Sequence, residues 1–511
     1  MSATRVMFGA LALMAYSALI AAEPAPSQWQ EIELSLSGPA DVQAISDLGL
    51  IIDDVAAGHV TAYARPEHLE ALHKLGIAYT VVVEAGAPKD FSGYHDYVAL
   101  TAELEQYAAE FASITRLISL GQSVEGRELW ALLITGNPGE EEDEPEFKYV
   151  ATMHGDEPVG TENCLRLIDY LLRGHGTDNR ATALVESTAI WFVPHMNPDG
   201  NSNGSRSNAH DVDLNRDFPA YPTDFTQNYF DGGAISLEGR EPEVQHVMAW
   251  ALANSFVLSA NTHTGSLVVN YPYDDDGVPS GVPAPTPDEE LFQYLSLQYA
   301  MFNPPMYNSP EFENGITNGA AWYTISGGMQ DWNYRFVSCF EVTLELSEIK
   351  KPSSTQLPQF WEENRESMLA YLEAVHIGAR GLVTDRLTGA PLWAEVRVEG
   401  NAQPVFTDPD VGDYHRLLLP GEYRLQVRAP GYIPFEVEGV AVTEGPATRV
   451  DVGLSTGDLD GDGAVNAVDI QSVLESILSA DPSGADVDGG GVTVTDLQTV
   501  VNLALRRPGP E

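Results

Sequence analysis

Apolar runs and amphipathic stretches alternate along the middle of this chain. KYVATM, AIWFVPHM, FVLSANTH and CFEVTLEL are dense in apolar and β-branched side chains and predict strands buried on both faces. TENCLRLIDYLLRG and PQFWEENRESMLAYLEAV carry helical periodicity; Pro158 stands near the start of the first and Gly174 at its end. TRLISLGQSVEGRELWALLIT predicts a hairpin. The alternation predicts an α/β domain over residues 91–378, with a mixed twisted sheet flanked by helices. Before it, residues 23–90 alternate strand-like and helical patches and predict a small βαβ-type α+β extension. That extension is either a structural addition or a pro-segment that aids folding or shields the next domain. After it, residues 379–455 show short alternating strands with frequent Gly and Pro turns, which predicts a β-sandwich. Residues 456–508 are rich in Asp and Gly and carry two similar units ending in apolar helices, a small calcium-binding helical module.

Composition narrows the function classes. The chain has 511 residues, with 26 Lys and Arg against 75 Asp and Glu, a formal charge of −49. Such a balance argues against nucleic acid, whose phosphates select basic surfaces. It suits solubility, calcium binding or attraction of cationic substrates. Residues 1–22 combine an early Arg5, an apolar stretch and small residues, and predict a signal peptide cut near Ala22. No later stretch is apolar enough to span a bilayer, so the expectation is a secreted or periplasmic protein with no membrane span in its mature form. The two cysteines, Cys164 and Cys339, are either paired or both buried thiols.

The candidate chemistry begins where the strand YVATM stops at His154-Gly155-Asp156-Glu157. His154 and Glu157 can enter one site from a single turn, and His263 ends another apolar strand. A catalytic zinc takes three such ligands and keeps a fourth position open. Open α/β sheets gather their sites at the carboxyl ends of the strands. Spacing alone is weak here, because such pairs arise by accident. A base is also needed to take a proton from water and return it to a leaving amine. Glu341 and Glu345 lie on one face of CFEVTLEL, so alternation does not choose between them; Glu348 has the other parity.

The motifs HGDEPVG, NPDG, DLNRDFP, HTGSLVVNYPYD, WYTISGGMQDWNY and CFEVTLELS follow one another in an order that resembles the zinc metallocarboxypeptidases of peptidase family M14, in the branch of carboxypeptidases N, E and D. The resemblance runs from about residue 92 to 455. It implies zinc ligands His154, Glu157 and His263, with Asp213 orienting His154. It implies Glu345 as general base, Arg206 at the oxyanion and Tyr323 closing over the substrate. Asn215 and Arg216 correspond to the clamp for a free C-terminal carboxylate. Asp274 and Gln330 correspond to a pocket selective for Lys or Arg. Thr264 stands where the family often has Gly. The sandwich resembles the transthyretin-like domain of the same branch. The implied substrate is a peptide or protein C-terminus. A cell-wall peptide or a modified tail is an alternative substrate, and a catalytically silent binding protein on the same fold is an alternative function.

The tail GDLDGDGAVNAVD places Asp458, Asp460, Asp462 and Asp469 at loop positions 1, 3, 5 and 12, with Gly463 at 6. These are EF-hand-like spacings for Ca2+, and with the following helix they resemble a dockerin, implying a cohesin-type partner. The second unit keeps Asp486, Asp488 and Asp496, has Gly490 at its fifth position and is one residue short.

Overall fold

The structure, a computed structural model, describes residues 29–35, 39–56, 58–82, 93–461, 464–479, 485–488 and 492–506. The expected signal peptide lies outside them, as do Asp462, Gly463 and Gly490. No helix among the described residues is long and apolar enough to cross a membrane.

The N-terminal module comprises β1 (Gln30–Ser35), α1 (Pro39–Asp47), β2 (Ile51–Ala56), β3 (His59–Ala64), α2 (Pro66–Leu75) and β4 (Tyr79–Val81). Its strands form one sheet in the order β2-β3-β1-β4, and every neighbouring pair is antiparallel. β1 and β2 both run antiparallel to β3 between them, and β3 and β4 both run antiparallel to β1 between them, so each helix joins two parallel strands and the expected βαβ-type arrangement is present as two split βαβ units. Too few residues join β2 to β3 for a crossover, so they make a hairpin. Ile32, Leu34, Val60, Ala62 and Leu72 form this module's own core.

The central domain is built on an eight-stranded sheet of β5 (Thr115–Gln122), β6 (Glu128–Ile134), β7 (Glu146–Ala151), β8 (Ala189–Val193), β9 (Phe256–His263), β10 (Leu267–Tyr271), β11 (Ile316–Asn318) and β12 (Phe340–Leu346). The strand order is β11-β10-β12-β9-β7-β8-β6-β5. The middle is parallel (β12-β9-β7-β8), the pairs β10–β12, β8–β6 and β6–β5 are antiparallel and the edge pair β10–β11 is parallel again, so the sheet is mixed. Helices cover both faces, and β7 shows why. Phe147, Tyr149 and Ala151 enter one core with the helices Val159–Gly174 and Leu357–Glu373, while Val150 enters the other with the helix Pro242–Leu252. A strand buried on both sides needs an unbroken apolar run, and the sequence supplies one.

Two small sheets follow. One joins β13 (Ala379–Asp385), β16 (Asp413–Arg416), β19 (Thr448–Arg449) and β20 (Val452–Leu454); the other joins β14 (Glu395–Val398), β15 (Val405–Phe406), β17 (Gly421–Arg428) and β18 (Phe435–Val442). Their apolar faces share a core continuous with the central domain. In the tail, helices Ala467–Ser479 and Val494–Arg506 pack through Val473 and Val500. Cys164 and Cys339 are separate, buried, free thiols.

Candidate active site

The carboxyl ends of β7 and β9 lie side by side, and the three expected ligands converge there. His154 Nδ1 lies 3.0 Å from Glu157 Oε1, and His263 Nδ1 lies 3.0 Å from Glu157 Oε2. The two Nδ1 atoms are 2.9 Å apart. His154 Nε2 meets Asp213 Oδ1 at 3.0 Å, which fixes the tautomer that leaves Nδ1 with a free lone pair. Two imidazole lone pairs and a carboxylate facing one another, all buried, are a donor set that suits zinc.

Glycine explains how the loop fits. A Cβ on Gly155 would sit 2.1 Å from the Gly200 carbonyl carbon, so HGDE and NPDG pack backbone against backbone. Asn197 Nδ2 donates to the Met153 and Arg206 carbonyls at 3.1 and 3.2 Å, and Asn201 Nδ2 donates to the Gly155 carbonyl at 2.9 Å. The NPDG segment is therefore the buttress of the ligand loop.

Register separates the two glutamates of β12. Glu345 pairs with His263 across the parallel β12–β9 ladder, and Glu341 pairs with Ser259 deeper in the sheet. Glu341 accepts from Ser259 Oγ, Asn261 Nδ2 and Asn333 Nδ2 at 2.5, 3.0 and 2.7 Å and lies 3.8 Å from Lys148 Nζ. Its capacity is spent on structure. Glu345 lines the cavity with the zinc-type ligands, and its Oε2 has no hydrogen-bond partner. Burial first, then the charges of Glu157 and Asp53, push its carboxyl well above the usual range. Glu348 is exposed, off the cavity wall.

Arg206, Asn215, Arg216, Asp274 and Tyr323 line the same cavity. Arg206 Nε donates to Asp213 Oδ2 at 3.0 Å, and its NH1 donates to Glu157 at 3.2 Å. Asn215 Oδ1 accepts from Met329 N at 3.0 Å, which turns its amide nitrogen free for an acceptor. Asp274 is buried, and its Oδ1 accepts from Asn270 Nδ2 at 3.0 Å. Burial, then Asp331, push the Asp274 carboxyl well above its ordinary range. Gln330 lies against Asp274 but off the cavity wall, its carbonyl oxygen accepting from Thr343 Oγ1 at 2.9 Å. Thr264 donates its backbone N–H to Glu157 Oε2 at 3.1 Å, a bond that Gly would also make, and its hydroxyl donates to the Lys350 carbonyl at 2.6 Å.

The family model for zinc carboxypeptidases matches residues 100–367, more than half of the chain. The chain belongs to the zinc carboxypeptidase family. Residues 378–455 match the carboxypeptidase regulatory-like domain. Carboxypeptidase D of Mus musculus is 42% identical over 393 residues, 73% of this chain and 28% of its own length. The chain thus spans little more than a quarter of that relative. The catalytic chain of carboxypeptidase N of Homo sapiens is 42% identical over 393 residues, covering 71% of this chain and 85% of its own. Among solved structures, carboxypeptidase A from Helicoverpa armigera superposes with a TM-score of 0.53 at 18% identity, over 68% of this chain and 97% of that one, which shows a common fold.

One occupant of this zinc carboxypeptidase site went unseen in the sequence. Strand β2 of the N-terminal module enters the cavity. Arg216 NH2 donates to the Ile52 carbonyl at 3.0 Å, and Tyr323 Oη donates to the Asp53 carbonyl at 3.1 Å. The Asp53 carboxylate pairs with Arg206 and with Lys350, the latter at 2.5 Å. Trp322 Nε1 donates to the Val55 carbonyl at 3.1 Å. What remains of the cavity is about 20 Å³, room for a water and not for an amino-acid residue. The acidic doublet in IIDDVA is the only local signal, and surface strands carry such doublets routinely.

Proposed function

We propose that the protein is an exported zinc carboxypeptidase that releases single C-terminal residues, Lys or Arg by preference, from peptides and proteins. The observation that carries this reading is Glu345 beside His263, in one cavity with two arginines and a buried aspartate. Zinc held by His154, Glu157 and His263 would supply Lewis acidity, lowering the pKa of water and polarising a carbonyl oxygen. Arg216 and Asn215 hold the terminal carboxylate, for which a planar guanidinium is the best match. Arg206 faces the charge that develops on the scissile carbonyl. Glu345 takes a proton from the attacking water and gives it to the departing amine. Residue release from a Lys-terminated peptide should cease with a chelator and return with added zinc; undiminished release after complete metal removal would overturn the reading.

In this reading the N-terminal module is a pro-segment that holds the enzyme latent. Backbone carbonyls at Ile52 and Asp53 take the donors meant for substrate, and Asp53 neutralises the oxyanion arginine. Asp53→Ala should raise the activity of the full chain by about tenfold or more, since an acid removed from a buried pair strands its partners. Asp54 makes the latency pH-dependent. Burial first, then the charges of Asp53 and Glu311, raise its pKa from 3.8 to about 7. A group raised on docking favours the protonated form, so docking is strongest below 3.8 and weakens as pH climbs through about 7. The gain from Asp53→Ala should shrink between about pH 5 and 8, and Asp54→Asn should flatten that trend. A constant gain across this range in the wild-type background would refute the Asp54 assignment.

The tail is read as a calcium module of dockerin type. Carboxylate oxygens of Asp458, Asp460 and Asp469 gather within 4.8 Å, and those of Asp486, Asp488 and Asp496 do likewise. The two loops are held alike. Asp469 accepts from Leu459 N and Asn466 N at 2.6 and 2.7 Å; Asp496 accepts from Val487 N and Thr493 N at 2.8 and 2.7 Å. The shorter second loop therefore reaches the same arrangement. Calcium should protect residues 456–506 of the full chain from proteolysis, and Asp458→Ala/Asp486→Ala should abolish the protection. Equal cleavage with and without calcium would sink this reading. A cohesin-type partner is the docking protein that this module implies.

A further inference from the structure

A cavity with a partly apolar wall lies away from the active site, where the sandwich meets the central domain. It measures about 290 Å³, and Phe256 and Trp393 form part of its apolar wall. The opposing wall is acidic. Glu141, Glu144 and Glu146 come from the segment that leads into β7, and Asp408 and Asp413 come from the β15–β16 segment. Carboxylate oxygens of Glu141, Glu146 and Asp408 lie within 4.8 Å of one another. Of the nearby arginines, Arg380 and Arg449 pair with Asp143 at 3.3 and 2.6 Å, and Arg116 acts on Glu141 through its charge without an ion-pair contact. Among the described residues, none of Glu141, Glu144, Glu146 and Asp408 has a Lys, Arg or His in ion-pair contact.

The donors that these acids do have are too few. Glu146, 4% exposed, accepts from Ser255 N at 3.1 Å, and Glu144 accepts from Thr135 Oγ1 at 2.6 Å. Asp408 accepts from Asp410 N and Val411 N at 2.7 and 3.1 Å and from Ser255 Oγ at 3.1 Å. Asp413, which lines the cavity, is only 5% exposed; its Oδ2 meets His415 Nε2 at 2.9 Å, but its Oδ1 has no hydrogen-bond partner. Carboxylates this close cannot all stay ionised without compensation. Burial, then Glu141, push Glu146 well above the usual carboxylate range, and burial raises Glu144 to about 7. A proton can relieve one such contact. A cation held by Glu141, Glu146 and Asp408 relieves their mutual contacts at once.

We propose that Glu141, Glu146 and Asp408, in the cavity that Asp413 also lines, form a Ca2+ site that fastens the β-sandwich to the catalytic domain. The donors facing the cavity are carboxylate oxygens, the set that hard cations select, whereas zinc favours nitrogen and sulfur. Ligands drawn from two domains make ion binding and domain docking one equilibrium, so calcium stabilises the docked arrangement by mass action.

The tail offers calcium sites of its own, and composition separates the two. Residues 456–511 contain no Phe, Trp or Tyr, whereas Trp393 lines the interdomain cavity. Tb3+, a luminescent stand-in for Ca2+, should therefore give tryptophan-sensitised emission in the full chain. Added Ca2+ should displace it, and Trp393→Phe should dim it. Equilibrium binding should show one Ca2+ fewer per chain in Glu146→Gln and in Asp408→Asn. Should either variant fail to fold, Glu141→Gln at an exposed position should weaken that one equivalent about tenfold or more. The proposal is overturned if the variants bind as much Ca2+ as the wild type with unchanged affinity, or if Zn2+ displaces Tb3+ at lower concentration than Ca2+. Neither result bears on the carboxypeptidase reading, which is tested by residue release.

Discussion

Glu345→Gln should lower the rate of C-terminal residue release by about a thousandfold or more, at the upper end of what a positioned proton carrier contributes. Glutamine keeps the shape and can still accept a hydrogen bond, but it cannot carry a proton. Zinc content and melting temperature should hardly move, because Glu345 Oε2 has no protein partner to lose. Glu341→Gln is the control on the same strand face. It disturbs a buried network with Ser259, Asn261 and Asn333 and leaves Lys148 short of its counter-charge. Its cost should appear as lost stability, of about 3 kcal/mol or more, rather than as a proton-transfer defect. Measuring kcat and thermal unfolding for both variants separates the roles. Substantial turnover in Glu345→Gln would end the assignment of the base.

Asp274→Ala should cost on the order of a hundredfold in preference for C-terminal Arg over Phe, measured as the ratio of kcat/KM on blocked dipeptides. Asp274 is 2% exposed, so it is no solvated loop charge. Asn270 holds its side chain, and Asp331 accepts from the backbone N–H groups of Asp274 and Asp275 at 2.9 and 3.1 Å. The space before it is kept open by glycine, since a Cβ on Gly319 would lie 1.9 Å from Asp274 Oδ1. A buried carboxylate whose burial favours the neutral form gains most when a guanidinium or ammonium arrives. Removing it leaves a neutral pocket in which an arginine head loses its partner while a phenyl ring loses little. Wild-type enzyme that cleaves Arg- and Phe-terminated dipeptides equally would show that Asp274 does not set specificity.

Local pattern was enough for some of this protein. Strands β7, β8, β9 and β12 are visible because burial on both faces demands continuous apolar runs. His154 and Glu157 stand on one turn, a weak signal by itself, and it is the ordered motifs around them that single them out. Tertiary structure decided what depends on register and on distant partners. Alternation puts Glu341 and Glu345 on one face; only the β12–β9 ladder sets one beside Ser259 and the other beside His263. Asp53 reaches Arg206 across 153 positions of chain, and Glu146 and Asp408 meet from separate domains. No local periodicity encodes such meetings. The side chains are ordinary acids in their own neighbourhoods, and they acquire a role only when folding removes water and fixes what faces them.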